Sequence, residues 1–385
     1  MTSPPGDQET DPAVALRLEP ATVRLPVGST ILIKAEFVHE SGIVTEAMKV
    51  VGLSLKPAVA VVDSSGRVEA IASGRVRIVA AAHGLSAVTV VDLPGWFSVT
   101  PLPAPRRRGH AAALGEELFY TTGTDSWGED HVATTFVFDP ETESWTTAPS
   151  IRTPRDDGAV ATAGDYLYVI GGISPDAPHN GYNRLWMNEA FRASDQSWVA
   201  RRNMPTAWGS VRGATAGGQI YVIGGRMGVG FLATVEVYDP ATHTWSTAPS
   251  LPAACEAPGI GLVDDEIYVA GGLESGHATT SALRIFNPAQ GTWRAGPSMP
   301  TARAFVASAV LQEQLVIPGG WAVYPGQIPL AEVEAYDLET ESWSTLAPMP
   351  VPRTEASAAV LQGILYVMGG ATDVALTDRV DGYMP

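Results

Sequence analysis

The sequence predicts an all-β protein: six four-stranded sheets packed around one axis, closed by an N-terminal strand and preceded by a small β-sandwich. Three observations predict it. A strand ending in Gly-Gly or its equivalent recurs six times, at intervals of 47 to 53 residues. Tryptophan recurs in step with it. The 385-residue chain also holds 39 glycines and 30 prolines against only 17% charged residues, a composition that breaks helices and supplies turns.

The repeat fixes the order of elements. "FYTTG" (119–123), "YVIGG" (168–172), "YVIGG" (221–225), "YVAGG" (268–272), "VIPGG" (316–320) and "YVMGG" (366–370) align as one apolar strand. A small-residue strand such as "RGATA" precedes it, joined by a tight turn ("AGGQ", "VDDE", "LQEQ") that reads as a hairpin. After a variable loop comes a third strand, then a turn of Asp-Pro type and a fourth strand carrying Trp145, Trp198, Trp245, Trp293 or Trp343. One four-stranded sheet cannot bury both faces, so radial stacking is the stable arrangement. Near the axis the strands crowd and must be Gly, Ala and Ser; farther out, Trp and Tyr fill the widening gaps.

The last repeat ends at "DRVDGYMP" with no Trp strand, whereas "GWFSVTPLP" (95–103) is a lone Trp strand ahead of the first. The segment near 96–101 is therefore expected to complete the last sheet, which removes two exposed edges. The pattern of Gly-Gly, Tyr-Asp-Pro and Trp over residues 96–385 resembles the Kelch family, and the resemblance implies a six-bladed β-propeller.

Residues 13–92 alternate apolar and polar positions between Gly and Pro turns, the pattern of a small sandwich. "LRLEPATVRLPVGS" and "VDSSGRV" resemble the bacterial Ig-like (group 2) family, with Leu53 near the place of that family's core Trp. The resemblance implies a spacer or adhesive module of the kind found on extracytoplasmic proteins. Residues 1–12 read as a disordered polar tail, and "DLPG" (92–95) as the linker. All three lysines (Lys34, Lys49, Lys56) lie before that linker, a compositional break that supports a boundary there.

A formal charge of −17 argues against nucleic acid and anionic membranes as partners. The single cysteine, Cys255, excludes an internal disulfide and a multi-cysteine metal site. No run approaches the ~20 apolar residues of a membrane span. The N-terminal stretch lacks the basic and apolar regions of a signal peptide, so the expected compartment is extracytoplasmic if an export signal has been removed and cytoplasmic otherwise.

In such a ring the loops entering each first strand and leaving each second strand open on one face, and a site is expected there. Aligned on the second strands, the entering loops place Arg106, Arg155, Trp208, Cys255, Arg303 and Arg353 in one equivalent position. Arg107 and Arg108 and the carboxylates Asp156, Asp157, Glu256 and Glu355 follow, so guanidinium groups and carboxylates are expected together around one mouth. Arg212 lies four residues beyond that position, in register with His110, and is expected close to the Asp156/Asp157 pair or to Glu256, either as a structural ion pair or as a pocket group. The arginines either bond loop carbonyls or form a concavity for carboxylate or phosphate; Trp208 either stacks a sugar or caps the core.

The leaving loops add Asp125, Trp127, Glu129, Asp130, His131, Asp176, His179, Tyr182, Arg184, Glu274 and His277, without a diagnostic metal spacing. Trp321 and Tyr324 join Trp127 as aromatics that a binding face would expose. Neither a cofactor nor a metal is expected. No Tyr-His dipeptide exists, which sets the chain apart from copper radical oxidases of the galactose oxidase type, and the Glu, Asp, His spacing of the plant specifier proteins is absent. Bacterial sialic acid epimerases resemble it in size and blade number.

Two function classes follow. One is a propeller that binds a small molecule, a saccharide or a protein on its loop face, with Arg106, Arg155, Trp208, Arg212, Arg303, Arg353, Asp156 and His110 as binding residues. The other is a cofactor-independent enzyme, a sugar epimerase, mutarotase or lyase, with Glu256, Glu355 or Cys255 as catalytic group.

Overall fold

The computed structural model describes residues 11–47, 51–127, 130–175, 183–228, 230–322 and 326–385. The tail expected over residues 1–12 lies outside them except for Asp11 and Pro12. The described residues are strands, turns and loops with no helix, and divide into two compact units: residues up to Phe97 together with Tyr383–Pro385, and Ser98–Gly382.

In the first unit, strands from Ala13–Glu19 to Leu85–Leu93 form three small sheets of three, four and three strands. The long hairpin Gly74–Ala82 and Leu85–Leu93 alternates buried and open positions along both arms. Its inward residues Val76, Ile78, Ala80 and Val91 join Leu16, Leu18, Phe37 and Val68 in one core. Leu53 is not among them. It is 59% exposed, so the place that the sequence suggested for a core aromatic faces outward here.

The second unit is a β-propeller. Each of its repeats forms a four-stranded sheet, or blade, with strands in sequence order from the inside outward; the first runs His110–Leu114, Glu117–Thr121, Thr135–Asp139, Ser144–Ala148. The last differs. Its inner strands are Ser357–Leu361, Ile364–Met368 and Val380–Met384, and the fourth is Gly95–Val99 from the other end of the chain. The Trp96 ring lies 4.9 Å from Tyr383, the spacing that Trp293 keeps to Phe286. The same pairing joins Phe138 to Trp145, Tyr238 to Trp245 and Tyr336 to Trp343 at 5.0–5.3 Å.

Two circuits of backbone hydrogen bonds explain why the repeat is spelled as it is. The second glycine of each Gly-Gly pair, and Gly123 of Thr122-Gly123 in the first repeat, donates to a carbonyl in the next blade: Gly123 to Arg155, Gly172 to Trp208, Gly225 to Cys255, Gly272 to Arg303, Gly320 to Arg353, and Gly370 back to Arg106, at 2.7–3.0 Å. The first glycine is left-handed, and a Cβ there would meet backbone; at Gly224 it would stand 2.6 Å from the Cys255 carbonyl oxygen. In the second circuit Arg108, Asp157, Ser210, Ala257, Phe305 and Glu355 each accept from the next and donate to the one before, at 2.7–3.1 Å. All six have φ between 48° and 56°, a conformation that costs an ordinary residue about 1 kcal/mol or more and that the interblade bonds hold in place.

Several hairpin turns carry similar strain without a circuit to hold them. Both turn residues have positive φ at Gly217-Gly218, Asp264-Asp265 and Gln312-Glu313, the geometry of a type I′ turn, for which Asn-Gly is the preferred pair. Replacing Gln312-Glu313 by Asn-Gly is expected to raise stability by about 1 kcal/mol, read as a higher urea midpoint at unchanged slope.

Candidate functional site

The aligned position after each blade seam does not line the opening of the ring. Arg155, Arg303 and Arg353 are completely buried, and each donates Nη1 to the carbonyl of the first glycine of its own blade's pair: Gly171 at 3.2 Å, Gly319 at 3.2 Å and Gly369 at 3.3 Å. Each also meets an acid on the third strand of its blade. Arg155 pairs with Glu189, Arg303 with Glu334 at 2.6 Å, and Arg353 with Asp381 at 2.6 Å. Burial pulls the guanidinium of Arg155 down to about 10, and likewise that of Arg353, against the pull of those acids. Arg106 stands 5.6 Å over the Phe136 ring, at the place where those three blades have the acid. These four are spokes inside the blades. The concavity that the sequence suggested for them is excluded by their pairing.

The two blades without arginine at this position show why. In the fourth blade Arg284 on the third strand directs Nη1 toward the Gly271 carbonyl at 3.5 Å and pairs with Glu274, so the guanidinium has changed strand and Cys255 fills the space it left. Cys255 is fully buried and burial pushes its thiol up to about 11, leaving no thiolate for nucleophilic chemistry. In the third blade Trp208 is 1% exposed within the core, out of reach of a sugar at the opening.

The opening is built instead by the left-handed residues and by the residue before each. Glu355 accepts from Arg108 Nε at 2.7 Å and from Arg107 Nη1 at 3.0 Å. Arg108 lies 3.7 Å from Asp156, whose other oxygen lies 3.3 Å from His131 Nε2. Asp157 accepts from Ser210 Oγ at 2.6 Å and from Arg212 Nη1 at 3.1 Å. Arg212 is thus paired with the blade before it, and its Nε also donates to the Pro258 carbonyl of the blade after it at 3.1 Å. His110 sits one layer deeper, its Nδ1 bonded to Thr122 Oγ1 and its Nε2 accepting from Gly158 N at 2.8 Å. Burial, reinforced by Arg155, lowers its pKa to about 4 and keeps the ring neutral.

Electrostatics separates the carboxylates. Burial raises Asp156, while for Asp157 the burial penalty is outweighed by Arg212 and Arg108 and the group stays ionised. Burial and then the neighbouring Asp157 push Glu256 up to about 7, although Arg226 lies 3.7 Å away and Arg184 is close. Arg184 crosses Gly209, where a Cβ would stand 2.8 Å from its Cδ. Its Nε is buried without a hydrogen-bond partner, and no carboxylate of the described residues lies within ion-pair distance.

Around the axis below these groups is a cavity of about 380 Å³, bordered by Arg108, His110, Asp157, Arg212 and Glu355. Sequence reasoning placed Arg107, Arg108, Arg212, Asp156, Asp157, Glu256, Glu355 and His110 in this neighbourhood and passed over Arg226. The signal was available: Arg226 follows a Gly-Gly pair directly, at the position of Thr124 and Leu273, where a long cation has no reason to be buried.

Trp127 is 56% exposed and lies 4.8 Å from the Arg107 guanidinium, whereas Trp321 is buried, stacked on Phe305. Tyr324, Glu129, Asp176, His179 and Tyr182 lie outside the described residues. Among the described residues no three His, Cys, Asp or Glu side chains gather as a metal site requires, and no helix is long and apolar enough to cross a membrane.

Comparison with known proteins agrees with the repeat. The chain is 34% identical over 274 residues to Kelch-like protein 35 of Homo sapiens, covering 71% of this chain and 44% of that protein. It is 27% identical over 240 residues to Kelch-like protein terF of Aspergillus terreus, covering 59% and 42%. The chain thus spans less than half the length of these curated relatives. A solved structure titled "Structure of YjhT" superposes with a TM-score of 0.63 at 16% identity, over 73% of this chain and 95% of that one, which shows a shared fold. Residues 119–378 match the family described as Attractin/LZTR1 beta-propeller, and the chain belongs to that family of Kelch-type β-propellers.

Proposed function

We propose that the protein is a binding propeller whose loop face takes an acidic ligand at the central opening. The observation that carries this reading is Arg184. Arg107 and Arg108 are matched by Glu355, Arg212 by Asp157 and Arg226 by Glu256, while Arg184 has a buried, unbonded Nε and, among the described residues, no carboxylate within ion-pair distance. A ligand carboxylate is the group that would satisfy it. Titration calorimetry with glucuronate and with simple carboxylates tests this. Arg184→Gln is expected to weaken binding about tenfold, as loss of a charge-assisted hydrogen bond does, and Gly209→Ala, which displaces the Arg184 stem, to weaken it similarly. Equal affinity in wild type and both variants would sink the reading.

Glu256 supports a second reading. A carboxyl with a pKa of about 7, between two arginines that hold a substrate acid, is suited to general acid–base chemistry on that substrate, as in an epimerase, mutarotase or lyase without a cofactor. On this reading Glu256→Gln abolishes turnover while leaving binding intact.

The proposal extends to the whole chain: a six-bladed Kelch ring completed by the Gly95–Val99 strand, and an N-terminal Ig-like module acting as a spacer on an extracytoplasmic protein. Support comes from the alternating hairpin of that module and the opening and strand motifs quoted above. Detection in the cytosolic fraction of the native host would count against the extracytoplasmic assignment.

A further inference from the structure

We infer that the central bore takes the apolar arm of an anionic amphiphile whose charged head rests at the opening. This rests on the acidic-ligand reading above and adds what the rest of the ligand must be.

The cavity of about 380 Å³ is charged at one end only. Arg108, Asp157, Arg212 and Glu355 stand at the opening, ahead of the first strands or on their first residues. Farther along those strands the wall is aliphatic: Val160, Ile260, Leu262, Val310, Ala358 and Val360, each half-buried, line the space between the blades. The hydroxyls of the wall do not offset this. Ser308 Oγ donates to the Ile260 carbonyl at 2.9 Å, Ser357 Oγ to the Gly109 carbonyl at 2.7 Å, and Thr215 Oγ1 to the Thr162 carbonyl at 2.8 Å. These three hydroxyl protons are spent on the backbone of a neighbouring blade, which leaves Thr162 as the remaining hydroxyl of the wall, so a sugar ring entering the bore would lose its bonds to water and find few replacements. An alkyl or aryl arm loses nothing and gains contact. The space holds about a dozen heavy atoms at roughly 30 Å³ apiece. The head is fixed by charge: Arg184, which among the described residues has no carboxylate within ion-pair distance, lies close enough to Asp157 at the opening to feel its charge, and the aliphatic wall offers no charge to pair a second head.

The test is calorimetry on the full chain with acetate, butanoate, hexanoate and octanoate, and with the matching alcohols. Affinity for the acids is expected to rise about three- to fourfold per methylene, the gain of burying apolar surface, and to level off once the bore is full. The alcohols should show the same slope at lower affinity. Arg184→Gln should bring the acids down to the alcohols and leave the slope unchanged. Val310→Thr and Ile260→Thr, which keep most of the volume, should flatten the slope and spare acetate; cooperative unfolding of each confirms that it is folded. Acids that bind with no dependence on chain length would overturn the bore and leave the acidic-ligand reading standing. Equal affinity for acids and alcohols would overturn the anionic head, and with it both inferences.

Discussion

Cys255→Arg gives the fourth blade the residue that four of the six repeats carry, and it is expected to destabilise the protein by about 3–5 kcal/mol. The reason is that the place is occupied. Arg284 already directs its guanidinium at the Gly271 carbonyl, as Arg155, Arg303 and Arg353 do at Gly171, Gly319 and Gly369. A second guanidinium would share one buried site with a single acid, Glu274, and leave a charge uncompensated. Arg284→Glu alone fails for the opposite reason, leaving carboxylates with no cation. The double variant, Cys255→Arg with Arg284→Glu, recreates the arrangement of the fifth blade, Arg303 facing Glu334, and is expected to recover stability to within about 1 kcal/mol of wild type. Urea unfolding of the four proteins measures the coupling, which should reach about 3 kcal/mol. A neutral Cys255→Arg would mean that the position faces solvent, as a binding arginine at the opening would require.

The same exchange shows how far the sequence could be read. Gly-Gly spacing, the tryptophan rhythm and the missing fourth strand in the last repeat are imposed by interblade contacts that every repeat must make, so they survive as a period. The direction of the arginine side chains is different. Whether Arg303 turns to the opening or into the blade depends on Glu334, 31 residues later, and only aligning third strands as well as loops reveals that an acid accompanies Arg155, Arg303 and Arg353. The opening itself has no period. Arg108, Asp157, Ser210, Ala257, Phe305 and Glu355 share a backbone conformation and a hydrogen-bond circuit but no side-chain chemistry, so repetition cannot mark them. Arg212 is the intermediate case: its partner Asp157 was foreseeable from blade geometry, because first strands of adjacent blades neighbour one another at the axis.

Stability between pH 4.5 and 6.5 is expected to reflect two opposing titrations, from His110 and Glu256, that nearly cancel in the wild type. His110 has a pKa of about 4 when folded against 6.5 for a free imidazole, held down by burial and by Arg155 and Arg212, with Asp157 pulling the other way. As pH falls through 6.5 the unfolded chain takes a proton that the folded ring refuses. The His110 contribution is complete above 6.5 and lost by pH 4, a loss of about 3 kcal/mol. Glu256 runs in reverse. Its folded pKa of about 7 exceeds the 4.5 of a free glutamate, raised by burial and Asp157 against Arg226, Arg184 and Arg108. The folded state therefore takes the proton first as pH falls from 7, and about 3 kcal/mol of stability is gained by pH 4.5 and lost again as pH rises through 7. Single variants expose each slope. In Glu256→Gln the His110 loss stands alone, so stability should fall by about 3 kcal/mol more than wild type between pH 7 and 4.5. In His110→Gln, whose amide oxygen can accept from Gly158 N, stability should rise relative to wild type over the same interval. Urea midpoints across pH measure both, and because the remaining carboxylates are common to all three proteins, they cancel in the comparison. Parallel profiles for wild type and Glu256→Gln would show that Glu256 titrates as an ordinary exposed carboxyl and would remove the ground for acid–base chemistry at the opening.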